Sequence, residues 1–287
     1  MTTELTPTSD HPLTIDSYET AMEPARREFT QRMNALYKRV EPSACAMFLM
    51  HYSAQGVAMT KDVPVWIRAA GEAAKSKGYA VLGKMLVDHA GHEEGHHEMM
   101  DRDIDSLVAW WNERFERPMS SSSFRDQAPL PAVHAYRQLH LDLIEQAPYA
   151  QIAVEYEIER LSTGDGPKLF RRMIGQLDLQ VVRCLSFLTE HVAIDAGHTR
   201  LNKRSLGRLV ASHPETLAEL VNRGSAALRT YASYVEGCAE LATASVDEFA
   251  LVRPRRRPRA WSIILKEKAA AVLFLLRAFM QGRLGQH

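Results

Sequence analysis

The sequence predicts an all-α protein, and three observations carry that prediction. Apolar residues recur at spacings of three and four along most of the chain, as one face of a helix requires. Runs of alternating β-branched residues, the mark of strands, are almost absent. Clusters of proline, glycine and serine break the helical stretches at intervals that suit short connections.

Taken in order, YETAMEPARREFTQRMNALYKR forms a first amphipathic helix, and after Pro42 the more apolar ACAMFLMHYSAQGVAM forms a second. A third begins near Pro64 with VWIRAAGEAAKSKG. Tyr79 to Phe115 follows as one or two long helices, with the stretch from Asp88 to Ile104 expected inside one of them. Ser120 to Pro131 reads as a Ser/Pro-rich connector. Helices over 132–147 and 149–162 are broken by Pro148 and closed by the turn signal TGDGP. A helix from about Asp178 to Lys203 precedes others near 214–243 and 260–283.

The bulk numbers exclude several function classes. The 287 residues, 46% of them hydrophobic, suffice for a sizeable core. Thirty-five basic and thirty-five acidic residues cancel, so no global field draws the chain to nucleic acid or an anionic membrane. The expected partner is a small molecule. Cys45, Cys184 and Cys238 are widely spaced in apolar segments, which reads as reduced, buried thiols and favours the cytoplasm. Residues 1–17 read as an inert tail and not a signal peptide. The longest apolar run, Ala269 to Leu276, is far short of the roughly 20 residues that cross a bilayer. VRPRRRPRA separates a last helix from the main body, so residues 251–287 form a basic strap and C-terminal helix beyond a body of 18–250. That helix is expected to pack on the bundle or on a partner subunit, and a homodimer is the expected assembly.

The chemistry concentrates in DHAGHEEGHHEMMDRDI, which places four histidines, three glutamates and three aspartates between Asp88 and Ile104. On a helix each residue turns by about 100°, so positions i, i+4 and i+7 lie within roughly 60° of one another. His191, Asp195 and His198 have that spacing, and His89, Glu93 and His96 repeat it. Imidazoles and a carboxylate on one stripe make half of a site for divalent iron, manganese or zinc. Glu94 and His97 point away from that stripe. Two half-sites need a bridging carboxylate, because close dications repel, and VEYEIER offers Glu155, Glu157 and Glu159. Glu155 and Glu159 share a face; Glu157 does not. Glu98, Asp101 and Asp103 read as solvated salt-bridge partners. Met47, Phe48, Met50, Tyr52 and Phe187 are candidates for a pocket lining, and Arg160 and Arg183 for pairing a substrate carboxylate.

HAGHEEGHHEMMDRDI, the later YEIE, and the H-x-x-x-D-x-x-H of HVAIDAGH together resemble the haem-oxygenase-like diiron oxidases and oxygenases, over roughly residues 20–240. The resemblance implies a bundle of about seven helices, here with an extra C-terminal helix, holding two iron ions and no haem. It implies six metal ligands: Glu93, His96, Glu159, His191, Asp195 and His198. His89, Tyr156 and Glu155 are then expected beside the ligands. The sequence departs from the pattern at His92, where many relatives carry a glutamate. The implied activity is O2-dependent oxidation of an amino-acid, amine or fatty-acid-like substrate, by C–C cleavage or N-oxygenation in specialised metabolism, with an electron donor. Two other readings stand beside it: a ferritin-like carboxylate-bridged di-metal protein, and a metal-free binding or regulatory module.

Overall fold

The computed structural model describes residues 12–39, 42–164 and 179–249, with positions 168, 175 and 177 between them. Among these residues the regular secondary structure is helical. The basic strap and C-terminal helix lie outside the described residues.

Helix α1 (Ile15–Arg39) begins three residues inside the stretch read as tail, because Thr14 and Ser17 cap it reciprocally. The Asp16 amide donates to Thr14 Oγ1 and the Thr14 amide to Ser17 Oγ. Tyr18, Met22, Phe29 and Met33 form its buried stripe. Helix α2 (Pro42–Thr60) is buried almost all round from Ala44 to Tyr52. It runs through the centre of the bundle.

Helices α3 (Val63–Ser76) and α4 (Ala80–Ala90) form a hairpin turned by Gly78, whose φ of +95° suits glycine. Gly71 and Gly83 let the two backbones touch, since a Cβ on Gly83 would stand 2.4 Å from the Gly71 carbonyl oxygen. The Asp88–Ile104 stretch is not one helix. Helix α4 ends at Ala90, a turn carries Gly91 to Gly95, and α5 (His96–Arg114) starts afresh. Gly95, at φ +86°, sets that restart, which no continuous helix could contain.

A short helix α6 (Ser122–Arg125) punctuates the connector, and α7 (Pro131–Gln146) and α8 (Gln151–Gly164) follow with a 3₁₀ turn at Pro148–Ala150 between them. A 3₁₀ segment at Leu179–Cys184 leads into α9 (Ser186–Ser212), and α10 (Leu217–Phe249) closes the described chain. Helix α10 packs on α1, α2, α7 and α8, while α9 lies on α8.

Asp103 is not solvated: only 3% exposed, it accepts from the Ser186 amide at 2.8 Å and the Phe187 amide at 3.1 Å. A carboxylate from α5 thus caps the N-terminus of α9, where the free amides and the helix dipole favour it. Glu98 and Asp101 do pair at the surface, with Arg102 and Arg125. Cys45 and Cys238 are buried free thiols; Cys184 is partly exposed. No helix among the described residues is long and apolar enough to cross a membrane.

Candidate metal centre

Three backbone regions meet at one place: the α4–α5 turn, the middle of α8, and the first half of α9. His89 comes from the last turn of α4, Glu93 from the turn itself and His96 from the first residue of α5. They converge without the helical phase that their spacing suggested. Glu93 faces two ways: its Oε2 lies 2.7 Å from His96 Nδ1 and its Oε1 lies 3.8 Å from His89 Nε2.

On α8 the i, i+4 spacing sends Glu155 and Glu159 to the same side, 3.5 and 3.4 Å from His89 Nε2. Glu157 turns the other way, is fully buried, and meets Arg26 Nε at 2.9 Å and the Tyr18 hydroxyl at 3.1 Å. On α9, His198 Nδ1 stands 3.6 Å from Glu159 Oε1. His191 donates from Nδ1 to the Phe187 carbonyl at 2.7 Å, which fixes its tautomer and leaves Nε2 to face a metal.

Two groups of donor atoms result, each spanning no more than 4.8 Å: His89, Glu93, Glu159 and His198 in one, and Glu93, His96 and His191 in the other. Glu93 belongs to both. The sequence pointed to the α8 carboxylates for a shared role, and among the described donor groups Glu93 is the residue common to both. His89, expected beside the ligands, stands within the first group. Glu155 Oε2 stands beside that group, 3.5 Å from His89 Nε2. Asp195 is in α9, but its side chain is outside the described residues. Tyr156 reaches away from the donors and donates to Glu19 on α1.

Whether these residues suit a metal is tested by His89. Its Nε2 is buried, makes no hydrogen bond among the described residues, and is surrounded by three carboxylates at 3.4–3.8 Å. A metal about 2.1 Å from each ligand would set neighbouring donor atoms roughly 3.0–3.5 Å apart, so the gap matches a shared ion better than a direct hydrogen bond. The donors are imidazole and carboxylate, which suit divalent iron, manganese or zinc.

The local field is anionic around His89 and disfavours protonation of the α9 imidazoles. Burial disfavours a charged His89, yet Glu155, Glu159 and Glu93 outweigh it and push its pKa up to about 9. Burial likewise opposes ionisation of Glu93, but His96, His89 and His191 hold it down at about 2. Burial and the neighbouring His96 press His191 to about 4, so it stays neutral. Burial, with His89 and His92, lowers His198 as well.

Sequence reasoning missed two amides that aim the carboxylates. Asn202 Nδ2 donates to Glu159 Oε2 at 2.6 Å, leaving Oε1 toward His89 and His198. Gln151 donates to Glu155 Oε1 and is itself held by His140 Nδ1 at 3.1 Å. The signal was present, because Asn202 continues the stripe of His191, Asp195 and His198, and Gln151 begins that of Glu155 and Glu159.

Glu93, Glu155, Glu159 and His191 also form one wall of a cavity of about 140 Å³. Phe48, Tyr52 and Phe187 line it as the sequence suggested, while Met47 and Met50 are plain core. Arg160 and Arg183 do not line it: Arg160 leans over the Tyr156 ring, 3.7 Å from Glu157, and Arg183 is exposed.

No protein-family model and no curated protein sequence matches the chain. Among solved structures it is similar to a domain of unknown function with a heme oxygenase-like fold from Shewanella denitrificans, at 16% identity and a TM-score of 0.59. The likeness covers 78% of this chain and 93% of that one. The chain therefore has a haem-oxygenase-like fold.

Proposed function

We propose that this protein is a non-haem diiron, O2-dependent oxidase or oxygenase acting on a small molecule. One observation carries the reading: two nitrogen/oxygen donor groups share Glu93 and open directly onto an apolar cavity. Glu93, His89, Glu159 and His198 would hold one ion, and Glu93, His96 and His191 the other; the i, i+4 spacing from His191 makes Asp195 a further candidate.

When bound, ferrous iron supplies the electrons that activate dioxygen. The chain's own residues do the rest. Gln151 and Asn202 each fix one oxygen of an α8 carboxylate, so the other oxygen stays aimed at the centre. The Phe187 carbonyl holds the His191 proton on Nδ1. The aromatic wall excludes water from the place where substrate meets the centre. An apolar chamber against the donors supports substrate oxidation over iron storage, for which a substrate-sized space has no use.

Metal analysis of the purified chain tests this. About two irons per chain, with substrate-dependent oxygen uptake, is the expected result. His198→Ala should lose most of the iron and all of that uptake; a chain purified with no iron, or an active His198→Ala, would sink the reading.

A further inference from the structure

The cavity wall itself is informative about what enters. Among the described residues lining it, none is lysine or arginine, and its carboxylates are Glu93 and Glu159 of the donor groups and Glu155 beside them. Away from those carboxylates and the ions they would hold, a carboxylate or ammonium lodged in the chamber would lie buried without a counter-charge.

Much of the polar equipment of the wall is already engaged. Tyr52 and Tyr231 hydrogen bond to each other through their hydroxyls at 2.7 Å, and the Tyr234 hydroxyl donates to the Tyr52 carbonyl at 2.5 Å. Thr60 Oγ1 donates to the Gly56 carbonyl at 2.9 Å. These side chains therefore turn ring faces and methyls to the space. Tyr136 differs: 5% exposed, it also lines the cavity, and its hydroxyl makes no hydrogen bond among the described residues.

Size narrows the guest further. The space is about 140 Å³. A dry apolar cavity of about 150 Å³ accommodates benzene. Ring edges and the thioethers of Met33, Met59 and Met100 favour an aromatic guest over a flexible chain.

Resting on the diiron reading, we infer that the substrate inserts a neutral, apolar body the size of a six-membered carbon ring, with one uncharged polar group within reach of Tyr136. Long-chain fatty acids and amino acids with charged side chains do not fit this chamber.

The test is calorimetric titration of the iron-loaded protein without oxygen, using benzyl alcohol, decanoate and lysine as probes. Benzyl alcohol should bind saturably, at least 10-fold tighter than either other probe. Val235→Phe, which fills the chamber from α10, should weaken it at least 10-fold with iron content unchanged. Leu188→Trp, at a partly exposed lining position, gives the same reading should Val235→Phe not fold. Tyr136→Phe should weaken benzyl alcohol several-fold while leaving toluene binding unaltered. Tighter binding of decanoate or lysine, or benzyl alcohol binding that ignores the filled chamber, would overturn the substrate class. Because iron is assayed on the same samples, low iron with intact benzyl alcohol binding would count against the diiron reading alone.

Discussion

Glu93 is the donor whose two carboxylate oxygens face different imidazoles. On the proposed diiron reading, Glu93→Ala should therefore take iron from about two per chain to near zero. His89→Ala removes a donor from one group only and should leave about one. Elemental analysis of the two variants side by side checks the pair, and equal losses would contradict the shared role of Glu93. Asn202 acts at one remove. Since amides that orient a ligand typically contribute 10–100-fold to metal affinity, Asn202→Ala should weaken iron binding by about that factor in a chelator competition.

At the level of elements, the centre depends on α8 being clamped to α1. Glu157 is fully buried and is held by Arg26 Nε at 2.9 Å and Nη2 at 2.6 Å. Removing one partner of such a pair strands a buried charge. Arg26→Ala should cost about 3–5 kcal/mol in urea denaturation of the metal-free protein, and a loss below about 1 kcal/mol would show that Arg160 and Tyr18 suffice for Glu157. Asp103 does the corresponding work for α9, joining its first amides to α5 and so fixing the phase at which His191 and His198 emerge.

Across the whole molecule, Glu19 ties three helices together through Arg26 on α1, Tyr156 on α8 and Lys203, 3.1 Å away on α9. Burial opposes its ionisation, but these donors hold its pKa at about 2, below the ordinary 4.5. A depressed carboxylate stabilises the fold fully above its unfolded pKa, and that contribution disappears as pH falls from about 4.5 through about 2. Glu19→Gln should then be less stable than wild type by about 1–3 kcal/mol at pH 7, discounted for partial exposure. The gap should narrow toward zero near pH 2; a gap independent of pH would refute the role of its charge.

Local pattern carried the helical class, since three-and-four spacing and proline breaks are written residue by residue. It also carried the donor chemistry: His191 and His198 on one stripe of α9, and Glu155 and Glu159 on one side of α8 with Glu157 on the other. What it could not carry was the turn from Gly91 to Gly95, where helical phase stops predicting direction and Glu93 comes to serve both donor groups. Nor could it show that phenols from α2 and α10 satisfy one another across a chamber whose described lining holds no lysine or arginine. Those features depend on distances between helices far apart in sequence, and packing sets such distances, while periodicity within one helix does not encode them.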